Sequence, residues 1–167
     1  VPGLSEGVVW DFQENKVSDD IFSYFGFDKE LIPDICPTFG VQGELLGTVA
    51  AELGLKKGIP VTYRAGDQSN NALSLNVLNP GEVAATAGTS GVVYGVNDKL
   101  NFDVLSRVNT FAHVNHTKEQ PRLGTLLCIN GVGILNSWIK KTIAPEGVNY
   151  EQLNRLAESV PIGSEGI

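Results

Sequence analysis

Apolar positions recur along the chain in two periods, and the change from one to the other marks the elements. After Ser18, the stretch DDIFSYFGF puts Ile21, Phe22 and Phe25 on one face, with two acids in the first turn and Gly26 at the end. That predicts a short helix capped by Ser18 and stopped by the glycine. In GELLGTVAAELGL (43–55), Leu45, Leu46, Val49, Ala50 and Leu53 follow a helical spacing, and Gly54 supplies the stop. GIPVTY (58–63) reads as a buried strand ended by RAGD, and QSNNALSLNVL (68–78) as a helix closed by NPG.

Beyond Gly81 the texture turns to β. EVAATAG and GVVYGV flank Thr89-Ser90 and predict a hairpin. TFAHV (110–114) and LGTLLCI (123–129) read as further strands. GVGILNSWIKKTI (131–143) predicts a helix with Ile134, Leu135, Trp138 and Ile139 on one side. NYEQLNRLAESV (149–160) predicts a last helix, opened by a capping-box pair, Asn149 and Gln152, and striped by Leu153, Leu156, Ala157 and Val160. Both halves are α/β in character. VLNPG (77–81) is the best boundary, giving expected lobes at 1–78 and 79–167.

Composition narrows the function. With 42% apolar residues among 167, a core can form. A net charge of −7 argues against nucleic acid and against an anionic membrane surface as partners. No apolar run approaches the roughly 20 residues that span a bilayer, and no secretory signal opens the chain, so a cytoplasmic location is expected. Cys36 and Cys128 lie far apart without CxxC spacing and read as buried thiols rather than a disulfide. The sequon Asn115-His116-Thr117 reads as chance. The sequence opens on Val1 and holds no methionine, so it reads as a processed chain or a piece of a longer one.

Two features carry candidate chemistry. Asp67 follows a predicted strand and precedes a predicted helix, the position where open α/β sheets bind ligands. Its carboxylate suits a general base for a hydroxyl proton, or equally an N-cap for QSNNAL. Gly66 lets backbone or ligand come close. Gly88-Thr89-Ser90-Gly91 can form a compact turn whose N–H groups and hydroxyls suit a phosphate oxygen, or serve as an ordinary hairpin turn. It is not a P-loop, having no lysine nearby. It is not a serine-hydrolase elbow either, since position 92 is Val92 rather than glycine. In NGVGILN, Gly131 and Gly133 stand where a strand meets a helix, which admits either a flat ligand or close packing. The third glycine of a dinucleotide fingerprint is replaced by Asn136. His113 and His116 would face opposite sides of a strand, and no acid or cysteine nearby completes a metal set.

In order along the chain, VQGELLGTVAAELGLKKGIPVTYRAGDQ, NPGEVAATAGTSGVVY, VNTFAHV, GVGILNSWI and VPIGSEGI together resemble the FGGY carbohydrate kinases, leaning to the xylulokinase-like branch. The first forty residues match loosely. The resemblance implies a ribonuclease-H-like α/β fold shared with actin and hexokinase, with parts of two lobes present. It implies a kinase that moves a phosphoryl group from ATP, with Mg²⁺, to a sugar or polyol such as D-xylulose. Asp67 would be the base and Gln68 a polyol hydrogen-bonder. Gly88, Thr89 and Ser90 would hold the transferred phosphoryl group, and Gly133 would lie against the nucleotide. Base and cradle would serve opposite sides of one cleft, which lobe closure shuts off from water.

The family's first phosphate loop and its later adenosine segment have no counterpart here, so the reading is of a central fragment, inactive alone. GDQ is the glycerol-kinase form of the aspartate motif, where xylulokinases more often carry Asn. Gluconate- or glycerol-type kinases and a non-catalytic nucleotide-binding scaffold are therefore the alternatives. A Ser90 hydrolase is a further one, poorly supported. Homo-oligomerisation is expected from apolar surface that absent partners would cover.

Overall fold

The computed structural model describes residues 1–166, together with their side chains except that of Glu165. The last residue of VPIGSEGI, Ile167, lies outside the described residues. In chain order the elements are α1 (Pro2–Glu6), β1 (Trp10–Asp11), β2 (Lys16–Val17), α2 (Asp19–Phe25), β3 (Phe39–Glu44), α3 (Gly47–Leu53), β4 (Pro60–Tyr63) and α4 (Asp67–Ser74). Then follow β5 (Val83–Ala87), β6 (Gly91–Asn97), β7 (Asn109–Ala112), β8 (Leu123–Ile129), α5 (Val132–Thr142) and α6 (Tyr150–Glu158). The strands form two two-stranded ribbons, β1-β2 and β3-β4, and one four-stranded sheet ordered β5-β6-β8-β7. Two compact units emerge: residues 1–84 with 93–127, and residues 85–92 with 128–167.

In the first unit, the core sits on the sheet. Tyr94 and Val96 alternate inward along β6, as a half-buried strand requires, and Leu123 and Leu126 of β8 join Ala112 and Val114 around them. β7 and β8 pair antiparallel, Asn109 opposite Leu126 and Ala112 opposite Leu123. Helix α4 buries Ser69 and Ala72 and leaves its opposite side open. Ser18 caps α2 by accepting the Ile21 N–H at 3.4 Å, and Gly26 ends it in the left-handed conformation, as predicted. Only Phe22 of the expected face is fully buried; Phe25 is exposed.

Several expectations need correction. The helix predicted from Gly43 begins at Gly47, because Gly43 and Glu44 belong to β3, which pairs antiparallel with β4. Strand formation there is supported by Phe39 stacking on Tyr63, with ring centroids 5.0 Å apart. β4 is not a buried strand: Pro60, Val61 and Thr62 are exposed, because among the described residues it pairs in this two-stranded ribbon alone. Helix α1, the ribbon β1-β2 and strand β3 carried no recognised pattern, being too short or too glycine-rich for a period to show. Both cysteines are free, as expected, but exposed rather than buried.

In the second unit, α5 and α6 form where periodicity placed them. Asn149 and Gln152 make the reciprocal capping box, each bond 2.9 Å. Neither helix buries a residue: Ile134, Leu135 and Trp138 on α5, and Leu156 on α6, stand exposed.

Candidate functional site

Asp67 is the first helical residue of α4, not its cap; Gly66 is the N-cap and makes no side-chain bond. The Gly66 carbonyl accepts both the Asn70 N–H and the Ser69 hydroxyl, at 3.0 and 3.1 Å, and this pins the strand-to-helix junction. An acid in a first helical turn is favoured by the helix dipole. The Asp67 carboxylate is exposed and makes no hydrogen bond or ion pair among the described residues. Gln68 follows on the same turn, half-buried.

A side chain at 66 would displace a neighbour that composition did not reveal. The Glu6 carboxylate occupies the space where a side chain at 66 would project. Burial, and next the charge of Asp67, push the Glu6 carboxyl above its ordinary range. Glu6 carried no sequence signal, because the loose match of the first forty residues gave it no context.

In the second unit, the turn at 88–90 is welded to the start of α5. The Gly133 N–H donates to the Gly88 and Thr89 carbonyls at 3.0 and 3.1 Å. A side chain at 133 would overlap the Gly88 carbonyl, so close packing accounts for this glycine. The Gly88 N–H is satisfied by the Ser90 carbonyl at 3.0 Å. The N–H groups and hydroxyls of Thr89 and Ser90 meet no partner among the described residues. Thr89 is exposed and Ser90 half-buried, so one short turn carries four hydrogen-bond donors without a partner among the described residues. Such a set fits a phosphate oxygen.

The two histidines and the sequon asparagine are held by hydrogen bonds within the first unit. His113 is fully buried; its Nε2 donates to the Val77 carbonyl and its Nδ1 accepts the Tyr94 hydroxyl, both at 3.0 Å. Tautomer follows from partner, since a carbonyl can only accept. His116 Nδ1 accepts the Arg122 N–H at 3.1 Å. Asn115 of the sequon donates its amide to the Leu78 carbonyl. No group of three or more His, Cys, Asp or Glu side chains gathers among the described residues. No helix among them is long and apolar enough to cross a membrane.

No family model matches the chain. The chain is 30% identical to the xylulose kinase of Bacillus subtilis over 90% of its own length and 29% of that protein's. It is 24% identical to the gluconokinase of the same organism, over 97% of this chain and 31% of that one. Among solved structures, the xylulose kinase of Rhodospirillum rubrum superposes with a TM-score of 0.76 at 27% identity, covering 96% of this chain and 32% of that one. The chain thus spans about a third of the length of the proteins it matches. Its fold is that of the actin- and hexokinase-like sugar kinases, α/β and ribonuclease-H-like as the sequence implied.

Proposed function

We propose, from the premise that the chain is a relative of the FGGY carbohydrate kinases over nearly all its length, that it forms part of an ATP-dependent kinase of a sugar or polyol hydroxyl. The observation that carries the reading is the set of unpartnered donors at Thr89 and Ser90, in a turn whose Gly88 and Thr89 carbonyls accept the Gly133 N–H. Phosphoryl transfer asks the protein chiefly for positioning and for stabilisation of charge on the moving group. Thr89 and Ser90 donate to the phosphoryl oxygens, Gly88 closes the turn, and Gly133 lies against the nucleotide. Asp67 accepts the proton of the attacking hydroxyl, and its unpaired carboxylate leaves that lone pair available. Gln68 orients the polyol. ATP with Mg²⁺ supplies the phosphoryl group.

A pentulose such as D-xylulose is the proposed acceptor, because the 30% relative is a xylulose kinase. A gluconate- or glycerol-type substrate is the second reading, favoured by the gluconokinase relative and by Gln68 after the aspartate. In this reading 1–78 belong to the sugar-binding lobe and 79–167 to the nucleotide-binding lobe. The kinase is cytoplasmic, and the 167-residue piece is inactive by itself.

The test is a coupled ADP-release assay with a sugar panel, using the full-length polypeptide that carries this sequence. Asp67→Asn is expected to lower kcat by about 10²–10⁴-fold. Turnover within a few-fold of the parent would reject Asp67 as the base. Nucleotide binding without any turnover would favour a scaffold, and fluorophosphonate labelling of Ser90 a hydrolase.

A further inference from the structure

Glu6 is positioned by a chain of contacts that begins one residue earlier. The buried Ser5 hydroxyl donates to the Pro2 carbonyl at 2.7 Å and accepts the Ala112 N–H at 2.9 Å, which pins α1 to β7. The next side chain, Glu6, then falls on the bare Cα of Gly66, directly before Asp67. Any larger residue at 66 would evict it. The Glu6 carboxylate forms no hydrogen bond or ion pair among the described residues, although Arg64 lines the same cavity. That cavity, about 720 Å³, is lined by Glu6, Thr38, Gln42, Arg64 and Gly66 among others, and it lies wholly within the first unit. Its size falls within the range that holds small ligands, and its walls mix apolar surface with a few polar groups.

We propose that Glu6 is a second sugar-facing acceptor, whose carboxylate takes a hydrogen bond from a hydroxyl other than the one Asp67 deprotonates. Glu6 thereby selects substrates with hydroxyls on neighbouring carbons. The proposal rests on the kinase reading above. Two carboxylates beside one another repel, and one of them is partly buried, which raises its proton affinity. Neutral hydroxyl donors relieve both costs without requiring a counter-ion, and a polyol brings several at once. An anionic ligand group would add to the repulsion at this spot. A divalent cation would want further ligands, and no third acid, histidine or cysteine joins the pair among the described residues.

The experiment is steady-state kinetics of the full-length polypeptide and its Glu6→Gln and Glu6→Ala variants, on a sugar panel that includes single-deoxy analogues. A hydrogen bond to a charged group has a net worth that corresponds to roughly 10- to 100-fold in affinity. Glu6→Ala should raise the sugar KM by that factor, with kcat and the ATP KM within about threefold of the parent. Glu6→Gln keeps an acceptor oxygen and should fall between the two. One deoxy analogue should suffer the same loss with the parent and no additional loss with Glu6→Ala. An unchanged sugar KM in either variant, at parental Tm, overturns the proposal. So does loss of nucleotide-independent Ca²⁺ binding in Glu6→Gln, since that would make the pair a cation site. If Glu6→Ala fails to fold, the near-isosteric Glu6→Gln decides alone. A parent that turns over no sugar overturns the kinase reading itself. A parent that is active, but indifferent to change at Glu6, overturns only this inference.

Discussion

Single residues in this chain are constrained by what occupies the space around them. Gly124 faces the Tyr94 ring and hydroxyl, so that a Cβ there would overlap atoms that cannot retreat, since Tyr94 is buried and tied to His113. Gly124→Ala should destabilise the fold by about 1–3 kcal/mol, read as a lower midpoint in denaturant. Tyr94→Phe leaves His113 Nδ1 buried without a donor, a cost of about 1–3 kcal/mol in the same measurement. His113 also sets a pH dependence. Burial holds its imidazole below the ordinary value of 6.5, opposed by the bond to Val77. Above that value both folded and unfolded chains are neutral there and the contribution is complete. On acidification the unfolded chain takes the proton first, so stability falls until the lowered folded value is passed. His116, also held low chiefly by burial, adds the same sign. Glu6, pushed upward, acts oppositely, because the folded chain takes its proton first. Tm should therefore drop as pH falls from about 7 toward the lowered histidine values, and the drop should be smaller in His113→Gln. None of these constraints has a local sequence signal. Tyr94 and His113 are 19 residues apart, and only the sheet brings them together.

At the scale of elements, capping chemistry was the most legible signal, because it acts between residues three or four apart. Ser18 with Gly26, Gly54, and Asn149 with Gln152 all do what their spacing implies. Asn149→Ala should cost α6 about 0.5–2 kcal/mol, visible as faster amide exchange in its first turn. Boundaries failed where a strand and a helix share one apolar run. The stretch from Gly43 to Leu46 satisfies a helical period, yet its first two residues pair with β4, and the helix waits until Gly47. β4 itself looked like a core strand because Ile59 and Val61 are apolar, and nothing in six residues could tell that among the described residues it pairs with β3 alone. At Asp67, two local roles were open, cap and base. The helix starts one residue earlier than a cap at 67 requires, so the side chain is left unspent.

At the scale of the molecule, many large apolar side chains are exposed. Ile134, Leu135 and Trp138 on α5, Leu156 on α6, and Val41 and Val61 on the β3-β4 ribbon are all exposed. Contiguous apolar patches promote association. Expressed by itself, the 167-residue chain should self-associate in sedimentation velocity, and Trp138→Glu with Leu135→Glu should shift it toward monomer. The resemblance to carbohydrate kinases could be read from ordered local motifs whose turns and helix stops are dictated by near neighbours, whereas Gly66, Gly124 and Gly133 are fixed by atoms distant in sequence. Helix ends, the hairpin at Thr89-Ser90 and the position of Asp67 after a strand follow from forces acting over a few residues. The Glu6 carboxylate above Gly66, the Tyr94–His113–Val77 bonds and the exposure of β4 come from contacts between distant parts of the chain. Their energies depend on which elements pack together, and that is chosen by the whole fold rather than by any one segment.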